Sequence, residues 1–228
     1  AGDRQNIYID LGDSQRQCIH ISPEGWSVIP QSARTPRFRV PHSTIPLPTP
    51  EPGGSIDLLW EVLPIERSEE RAIVVGCILS FLFPSPPSPI LVINGEAGSG
   101  KTTVSKIITN LIDPISEPLP APRSDTLYLA ARGAKVICLD NISGLNQSIS
   151  DDMARLVYGA ENLNRKLYTN GDTYRQKAQC GIILNGIPDF ISQPDLADRC
   201  FHLNLRRLRE GDHKHLSAVM NRFKQIKP

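Results

Sequence analysis

The segment Gly95-Glu96-Ala97-Gly98-Ser99-Gly100-Lys101-Thr102 matches the pattern GxxxxGK[ST] and is the most informative stretch of the chain. An apolar, β-branched run at residues 90–94 precedes it and indicates a buried strand, and residues 101–112 repeat apolar side chains at helical spacing. Between a strand and a helix, such glycines let successive backbone N–H groups turn towards phosphate oxygens, and the helix N-terminus adds partial positive charge. The sequence therefore predicts a phosphate-binding loop.

The residue types of this loop suit ATP held together with Mg²⁺. Lys101 would reach the β- and γ-phosphates, and the hydroxyl of Thr102 would ligate the metal ion. Glu96 is a candidate general base, or else a solvent-facing loop acid. The predicted nucleotide-binding residues are Gly95, Glu96, Ala97, Gly98, Ser99, Gly100, Lys101, Thr102 and Thr103.

A second motif is the apolar run at residues 135–139, which ends at Asp140. Ligands of open α/β sheets bind at the carboxyl ends of the strands, so Asp140 is expected to help Thr102 hold Mg²⁺. Many P-loop ATPases carry a glutamate at the following position, whereas this chain has Asn141. Because an asparagine can orient water but cannot accept a proton at neutral pH, slow hydrolysis is one expected outcome.

Two further polar residues follow apolar runs. Asn185 ends the run at residues 181–184, where it could position a water molecule beside the γ-phosphate or serve the turn that follows. Arg199 stands four residues after Asp195, a spacing that suits an intrahelical ion pair. Alternatively, Arg199 stands where ring-forming ATPases often carry an arginine that reaches the γ-phosphate of a neighbouring subunit.

The chain divides at a proline-rich connector. Residues 7–40 alternate short apolar stretches with turn signals and predict a small β-rich module, with strands near 7–9, 18–21, 26–29 and 38–40. Residues 41–54 hold five prolines and two glycines, which is typical of an extended linker. The predicted units are therefore 1–53, the module with its linker, and 54–228, an ATPase core that ends in a partial helical segment.

Strands and helices alternate through the predicted core. Ser68 is expected to cap a buried helix that covers residues 72–83. Buried strands are predicted at 90–94, 127–130, 135–139, 181–184 and 200–205, and helices at 101–112, 150–160 and 194–199. This order implies an α/β fold of three layers around a mostly parallel, five-stranded sheet.

Composition narrows the class of protein. Five scattered cysteines without a CxxC pair indicate reduced core residues of a cytoplasmic protein. The longest apolar run is too short to span a bilayer, and no membrane partner is expected. Residues 154–228 carry 13 basic and 7 acidic side chains, against 12 and 17 in residues 1–153. That asymmetry fits a polyanionic partner near the C-terminal part, or a solvated basic surface.

Taken in order, the segments GEAGSGKT, VICLDN, IILNG and LADR resemble the AAA+-like ATPase domains of phage and mobile-element primase-helicases, near the superfamily 3 helicases. The resemblance covers roughly residues 88–207. It implies a parallel sheet in the order 5-1-4-3-2, a hexameric ring and movement along DNA during replication. It also places Lys101 and Thr102 on the phosphate loop, Asp140 on the magnesium acid, Asn185 on the first sensor and Arg199 on the arginine finger.

Residues 165–177 form two short strand-like pieces around an Asn-Gly turn, which predicts a β-hairpin. In the related helicases a hairpin in this interval enters the ring pore and grips the DNA strand. Cations here could meet phosphates and tyrosines could stack on bases, although an ordinary charged hairpin would look similar. The predicted nucleic-acid residues are Arg165, Lys166, Tyr168, Tyr174, Arg175 and Lys177.

Three functions compete on this sequence. The first is an ATP-hydrolysing motor of a DNA replication helicase that binds single-stranded or forked DNA as a homo-oligomer. The second is a P-loop kinase for a small molecule, in which Arg206, Arg207 and Arg209 would act as the lid. The third is a nucleotide-binding switch with little turnover, which Asn141 favours.

Overall fold

The structure is a computed structural model of the chain. It describes residues 2, 5–38, 45–83, 87–114, 118–121, 123–132, 134–165, 173–187, 190–208 and 216–226, with 125, 160–165 and 173–177 described as backbone alone.

The N-terminal module is a three-stranded antiparallel sheet in the order β1-β2-β3. Its strands are β1 Ile7–Asp10, β2 Gln17–Ser22 and β3 Gly25–Pro30. These strands confirm the predicted β-rich start, whereas Phe38 lies outside any strand and residues 39–40 fall outside the described part of the chain. Residues 45–54 of the proline-rich connector contain neither helix nor strand.

The rest of the chain alternates helices and strands as predicted. A 3-10 helix covers Ile56–Glu61. The elements that follow are α1 Ser68–Leu82, β4 Ile90–Gly95, α2 Lys101–Ile112, α3 Ser124–Ala131, β5 Val136–Ile142, α4 Gln147–Leu156, β6 Ala160–Arg165, β7 Thr173–Ala178, β8 Gly181–Gly186, α5 Pro194–Ala197, β9 Cys200–Leu205 and α6 Leu216–Ile226.

Four of these strands form a parallel sheet in the order β5-β8-β4-β9. This order matches four consecutive positions of the expected 5-1-4-3-2 arrangement, with β9, β4, β8 and β5 in the places of strands 5, 1, 4 and 3. A fifth strand is absent from the described residues. Leu119 instead forms a single parallel bridge to Leu139 on the outer side of β5.

Side chains that alternate along the strands contribute to two apolar clusters, one on each face of the sheet. Leu91, Ile93 and Leu203 pack with α1, α2 and α6, on what we term the α2 face. Their neighbours Ile90 and Val92 pack with α3, α4 and α5 on the opposite, α4 face. The sheet is thus covered by helices on both sides, as its nearly continuous apolar strands require.

One predicted strand is wrong, because residues 127–130 belong to helix α3. Leu127, Tyr128 and Ala131 are buried while Leu129 is 64% exposed, which is a helical pattern and not an alternating one. The side-chain hydroxyl of Thr126 accepts a hydrogen bond from the backbone N–H of Arg123 at 2.9 Å and so fixes the start of the helix.

The predicted capping role of Ser68 is also wrong. Ser68 is the first residue of α1, and the N-cap is Arg67, which makes no side-chain cap hydrogen bond. Glu69 and Glu70 do lie in the first turn, where negative charge favours the positive end of the helix.

The predicted hairpin is present as the antiparallel pair β6 and β7, in which Arg165 pairs with Thr173. Its connecting residues 166–172 lie outside the described part of the chain. Because β7 leads directly into β8, the hairpin is rooted at the amino edge of the parallel sheet.

Among the described residues, none of the helices is both long and apolar enough to cross a bilayer.

Candidate functional site

The glycine-rich loop leaves the carboxyl end of β4 and turns into α2. Gly98 and Gly100 adopt left-handed backbone angles, with φ of 80° and 82°, which side chains rarely tolerate. A Cβ on Gly95 would lie 2.4 Å from Ser99 Oγ and 2.9 Å from the carbonyl oxygen of Leu205. The loop therefore requires glycine at these three positions, for conformation at two and for space at the third.

Lys101 is the first residue of α2, and its ammonium group bends back over the loop. It donates to the carbonyl oxygens of Gly95 at 2.6 Å and Glu96 at 2.9 Å. These contacts hold a positive charge beside the backbone that the sequence predicts to bind phosphate. Glu96 itself has an exposed side chain.

Thr102 and Asp140 meet at the carboxyl edge of the sheet. The Thr102 hydroxyl lies 3.1 Å from Asp140 Oδ1 and 3.4 Å from Oδ2. Side-chain alternation along β5 explains the encounter: Val136 and Cys138 pack on the α2 face, so Asp140 points to the same side. A hydroxyl and a carboxylate side by side are oxygen ligands of the kind that Mg²⁺ accepts.

Strand β5 contains a bulge directly after Asp140. The pairing with β8 shifts register between Leu139 and Ile142, and Asn141 adopts a left-handed conformation with φ of 57°. The extra residue returns Ile142 to the α4 face and leaves Asn141 exposed. Bulges of this kind redirect side chains beside functional sites.

Asn185, at the end of β8, is 1% exposed and lies on the α2 face. Its Oδ1 accepts a hydrogen bond from the backbone N–H of Asn141 at 2.9 Å. Its Nδ2 donates to Ser105 Oγ, also at 2.9 Å. The structure thus brings Asn185 to Asn141 and to α2, and both ends of its amide are engaged within the protein.

Arg199 lies at the opposite, amino edge of the sheet. Its carbonyl oxygen accepts from the N–H of Ile90, the first residue of β4, at 3.1 Å. Six residues of β4 separate that point from the glycine-rich loop, which corresponds to roughly 20 Å. Its guanidinium forms the i,i+4 ion pair with Asp195 at 2.5 Å and lies over the ring of Tyr158. The hydrogen bond that the guanidinium donates to the Asp195 carboxylate is the main cause that raises the pKa of Arg199.

A cavity beside the glycine-rich loop was not predicted from the sequence. It has a volume of about 210 Å³ and lies near the start of α2, since Leu208 Cδ1 would be 3.9 Å from a Cβ on Gly100. Its lining comes from the turn before α1 and from the chain after β9: Pro64, Glu66, Arg67, Glu70, Asn204, Arg206, Arg207 and Leu208. The two segments stand about 140 residues apart, so no local pattern could have joined them.

The fold and site together define an α/β protein with a parallel sheet and a glycine-rich strand–loop–helix at its carboxyl edge. The family model described as "Actinomycete integrative conjugative element replication protein" matches residues 56–226. The chain belongs to this family. Its membership confirms the predicted resemblance to replication proteins of mobile elements.

Two solved structures are similar to this chain at low sequence identity. The C-terminal region of NrS-1 superimposes with a TM-score of 0.57 at 11% identity, over 92% of this chain and 62% of that chain. A crystal structure of JCV helicase gives a TM-score of 0.45 at 16% identity, over 74% of this chain and 48% of that chain. The chain therefore spans less than two thirds of either protein. A search of curated proteins found no match.

Proposed function

We propose that this chain is the ATP-binding and ATP-hydrolysing motor domain of a DNA replication helicase. One observation carries the proposal: the Thr102 hydroxyl and the Asp140 carboxylate meet at 3.1 Å beside a glycine-rich loop that opens a helix. That pair supplies metal ligands at the place where the loop offers backbone N–H groups to phosphates. Membership in a family of replication proteins supports the process it would serve.

The nucleotide's phosphates would lie on the loop between Gly95 and Lys101, with Thr103 close by in the first turn of α2. Lys101 would exchange its carbonyl contacts for phosphate oxygens, which accept a stronger, charge-assisted hydrogen bond. Thr102 and Asp140 would hold Mg²⁺, which supplies neutralising charge for the phosphates when bound. We assign the base and ribose to the 210 Å³ cavity that Arg206 and Glu66 help to line.

The attacking water would be oriented by the exposed Asn141, with Glu96 of the glycine-rich loop as the candidate acid that accepts its proton. Asn185 would act on this water indirectly, because its amide already holds the backbone of Asn141. Without a glutamate after Asp140, we expect turnover to be slow in the isolated chain.

Arg199 cannot serve the loop of its own chain, because the two lie at opposite edges of the sheet. An arginine at that edge would complete a site only on a neighbouring copy, which fits a homo-oligomer and, by resemblance, a hexameric ring. The hairpin β6–β7 is rooted at the same edge, and we propose that its cations and tyrosines bind single-stranded or forked DNA.

The test is ATP hydrolysis by the full-length protein, measured with and without single-stranded DNA. We expect DNA to raise the rate, and Lys101→Ala to abolish hydrolysis at both conditions. Replacing Arg175 and Lys177 together with glutamine should remove the stimulation and leave the DNA-free rate unchanged. Equal rates with and without DNA in a DNA-bound oligomer would refute the motor.

A nucleotide-binding switch is the second candidate, and Asn141 favours it. A switch would retain ATP through many minutes in a single-turnover experiment, with binding intact and product negligible. A motor would convert the same bound ATP to ADP within that time.

A further inference from the structure

Two buried polar side chains, Ser105 on α2 and Asn185 on β8, connect the glycine-rich loop to the bulge of β5. Ser105 is fully buried and its hydroxyl donates to the carbonyl oxygen of Lys101 at 2.9 Å. The Ser105 hydroxyl oxygen also accepts a hydrogen bond from Asn185 Nδ2 at 2.9 Å. Asn185 Oδ1 in turn accepts from the backbone N–H of Asn141 at 2.9 Å.

The donor and acceptor roles in this series of hydrogen bonds determine each other. A serine hydroxyl has one hydrogen, which Ser105 gives to the Lys101 carbonyl, so towards Asn185 it can only accept. Asn185 must therefore present its NH₂ group to Ser105, which leaves its oxygen for Asn141. A flipped amide would place NH₂ against the Asn141 N–H, donor against donor. Ser105 thus fixes the orientation that Asn141 needs.

Asn141 needs such a partner because its backbone conformation is unusual. A non-glycine residue at φ of 57° is uncommon, although asparagine tolerates it better than most residues. The bulge also removes Asp140 and Asn141 from the register with β8. The hydrogen bond from its N–H to Asn185 thus replaces the lost strand pairing and holds the exposed side chain of Asn141 at the edge that carries Asp140.

We propose that Ser105 is a positioning residue of the ATPase site, acting through Asn185 on Asn141. This inference rests on the proposed function, since it assigns Asn141 to the water beside the nucleotide. Ser105 would not touch the nucleotide. Its loss should therefore slow the chemical step and leave nucleotide binding nearly unchanged.

The test compares Ser105→Ala with Thr109→Val in the full-length protein. Thr109 is a suitable control because it is also fully buried on α2 and donates to the carbonyl four residues earlier, that of Ser105, at 2.8 Å. We expect Ser105→Ala to lower kcat by about 5- to 20-fold with KM changed less than about twofold. Thr109→Val should keep kcat within about twofold of the value for the unsubstituted protein, the parent.

A second measurement does not depend on hydrolysis. Amide hydrogen exchange of Asn141, followed by NMR in the nucleotide-free protein, should be at least about tenfold faster in Ser105→Ala and in Asn185→Ala. In Thr109→Val it should match the parent. Exchange at Asn141 that is unchanged by Ser105→Ala, or accelerated equally by Thr109→Val, would overturn the positioning role. Absence of ATP hydrolysis in the parent would instead overturn the proposed function, and exchange would still decide the role of Ser105 in holding Asn141.

Discussion

Replacing Thr102 with valine removes one hydroxyl and keeps the shape of the side chain, so it isolates the proposed metal contact. In the structure that hydroxyl lies 3.1 Å from Asp140 Oδ1, and the Thr102 side chain is exposed. Because exposed polar pairs contribute little to folding, we expect the melting temperature to fall by no more than about 2 °C.

The effect should appear in the affinity for the magnesium complex of ATP. A hydrogen bond or ligand contact that involves a charged group contributes about 1.5 to 3 kcal/mol when water is excluded. At an exposed site we take the lower value, about 1.5 kcal/mol, which raises the dissociation constant about tenfold. Affinity for ATP in EDTA should not change, since the valine removes only a metal ligand.

Calorimetric titration of the parent and Thr102→Val, each with and without Mg²⁺, separates these contributions. Thr109→Val on the same helix is the matched control and should bind as the parent does in both buffers. An equal loss of affinity with and without Mg²⁺ would show that Thr102 does not act through the metal. No loss in either buffer would remove Thr102 from the site.

Three further predictions concern stability, assembly and pH. Gly181→Ala should destabilise the fold by about 1 to 3 kcal/mol in urea unfolding, because its Cβ would lie 2.1 Å from Phe81 Cδ1, and Phe81→Leu in the same chain should restore part of the loss. Arg199→Ala and Lys101→Ala should each be inactive alone but regain ATPase activity when mixed. Mixed oligomers contain some interfaces at which Arg199 of one subunit and Lys101 of its neighbour are both intact. If mixing restores no activity, Arg199 does not act between subunits. Burial raises the pKa of four thiols from 9.0 to about 12, so these thiols stay protonated in the folded chain at pH values where they ionise in the unfolded chain; their contribution to stability should be constant below pH 9 and be lost between pH 9 and 12, as urea midpoints at increasing pH would reveal. The thiols are Cys77, Cys138, Cys180 and Cys200.

The elements that the sequence predicted well are those whose signal is local. The strand–loop–helix at residues 90–112 combines a β-branched run, three glycines and a 3.6-residue apolar period, and each signal indicates the same structure. Strand β9 was predicted with its observed bounds, Cys200–Leu205. Residues 127–130 failed because a run of four apolar residues fits a strand or a helix equally well. The exposure of Leu129 distinguishes the helix from the strand, and that exposure depends on how α3 packs against α4.

The residues of the candidate site could be predicted from the sequence, but the hydrogen bonds between them could not. Lys101, Thr102 and Asp140 stand in motifs, so their residue types and their order along the chain were sufficient to nominate them. The hydrogen bond between Asn141 and Asn185 joins residues 44 positions apart, and the one between Asn185 and Ser105 joins residues 80 positions apart. No periodicity or spacing contains such pairs.

The bulge at Asn141 shows why this limit is physical. In a regular strand, alternation would turn Asn141 into the α4-face cluster, where its amide would be buried without a partner at a cost of about 1 to 3 kcal/mol. The chain avoids that cost by inserting one residue, so that Ile142 fills the cluster and Asn141 turns to solvent. The bulge in turn leaves the backbone N–H of Asn141 without its strand partner, and the side-chain oxygen of Asn185 accepts a hydrogen bond from that N–H.

A glutamate at position 141 would also be costly to bury in the α4-face cluster, so we expect the bulge to persist in Asn141→Glu. Its carboxylate would then be exposed and able to accept a proton from water. If hydrolysis by the parent is limited by the missing base, this single change should accelerate it; an unchanged rate with intact nucleotide binding would show that another step limits turnover.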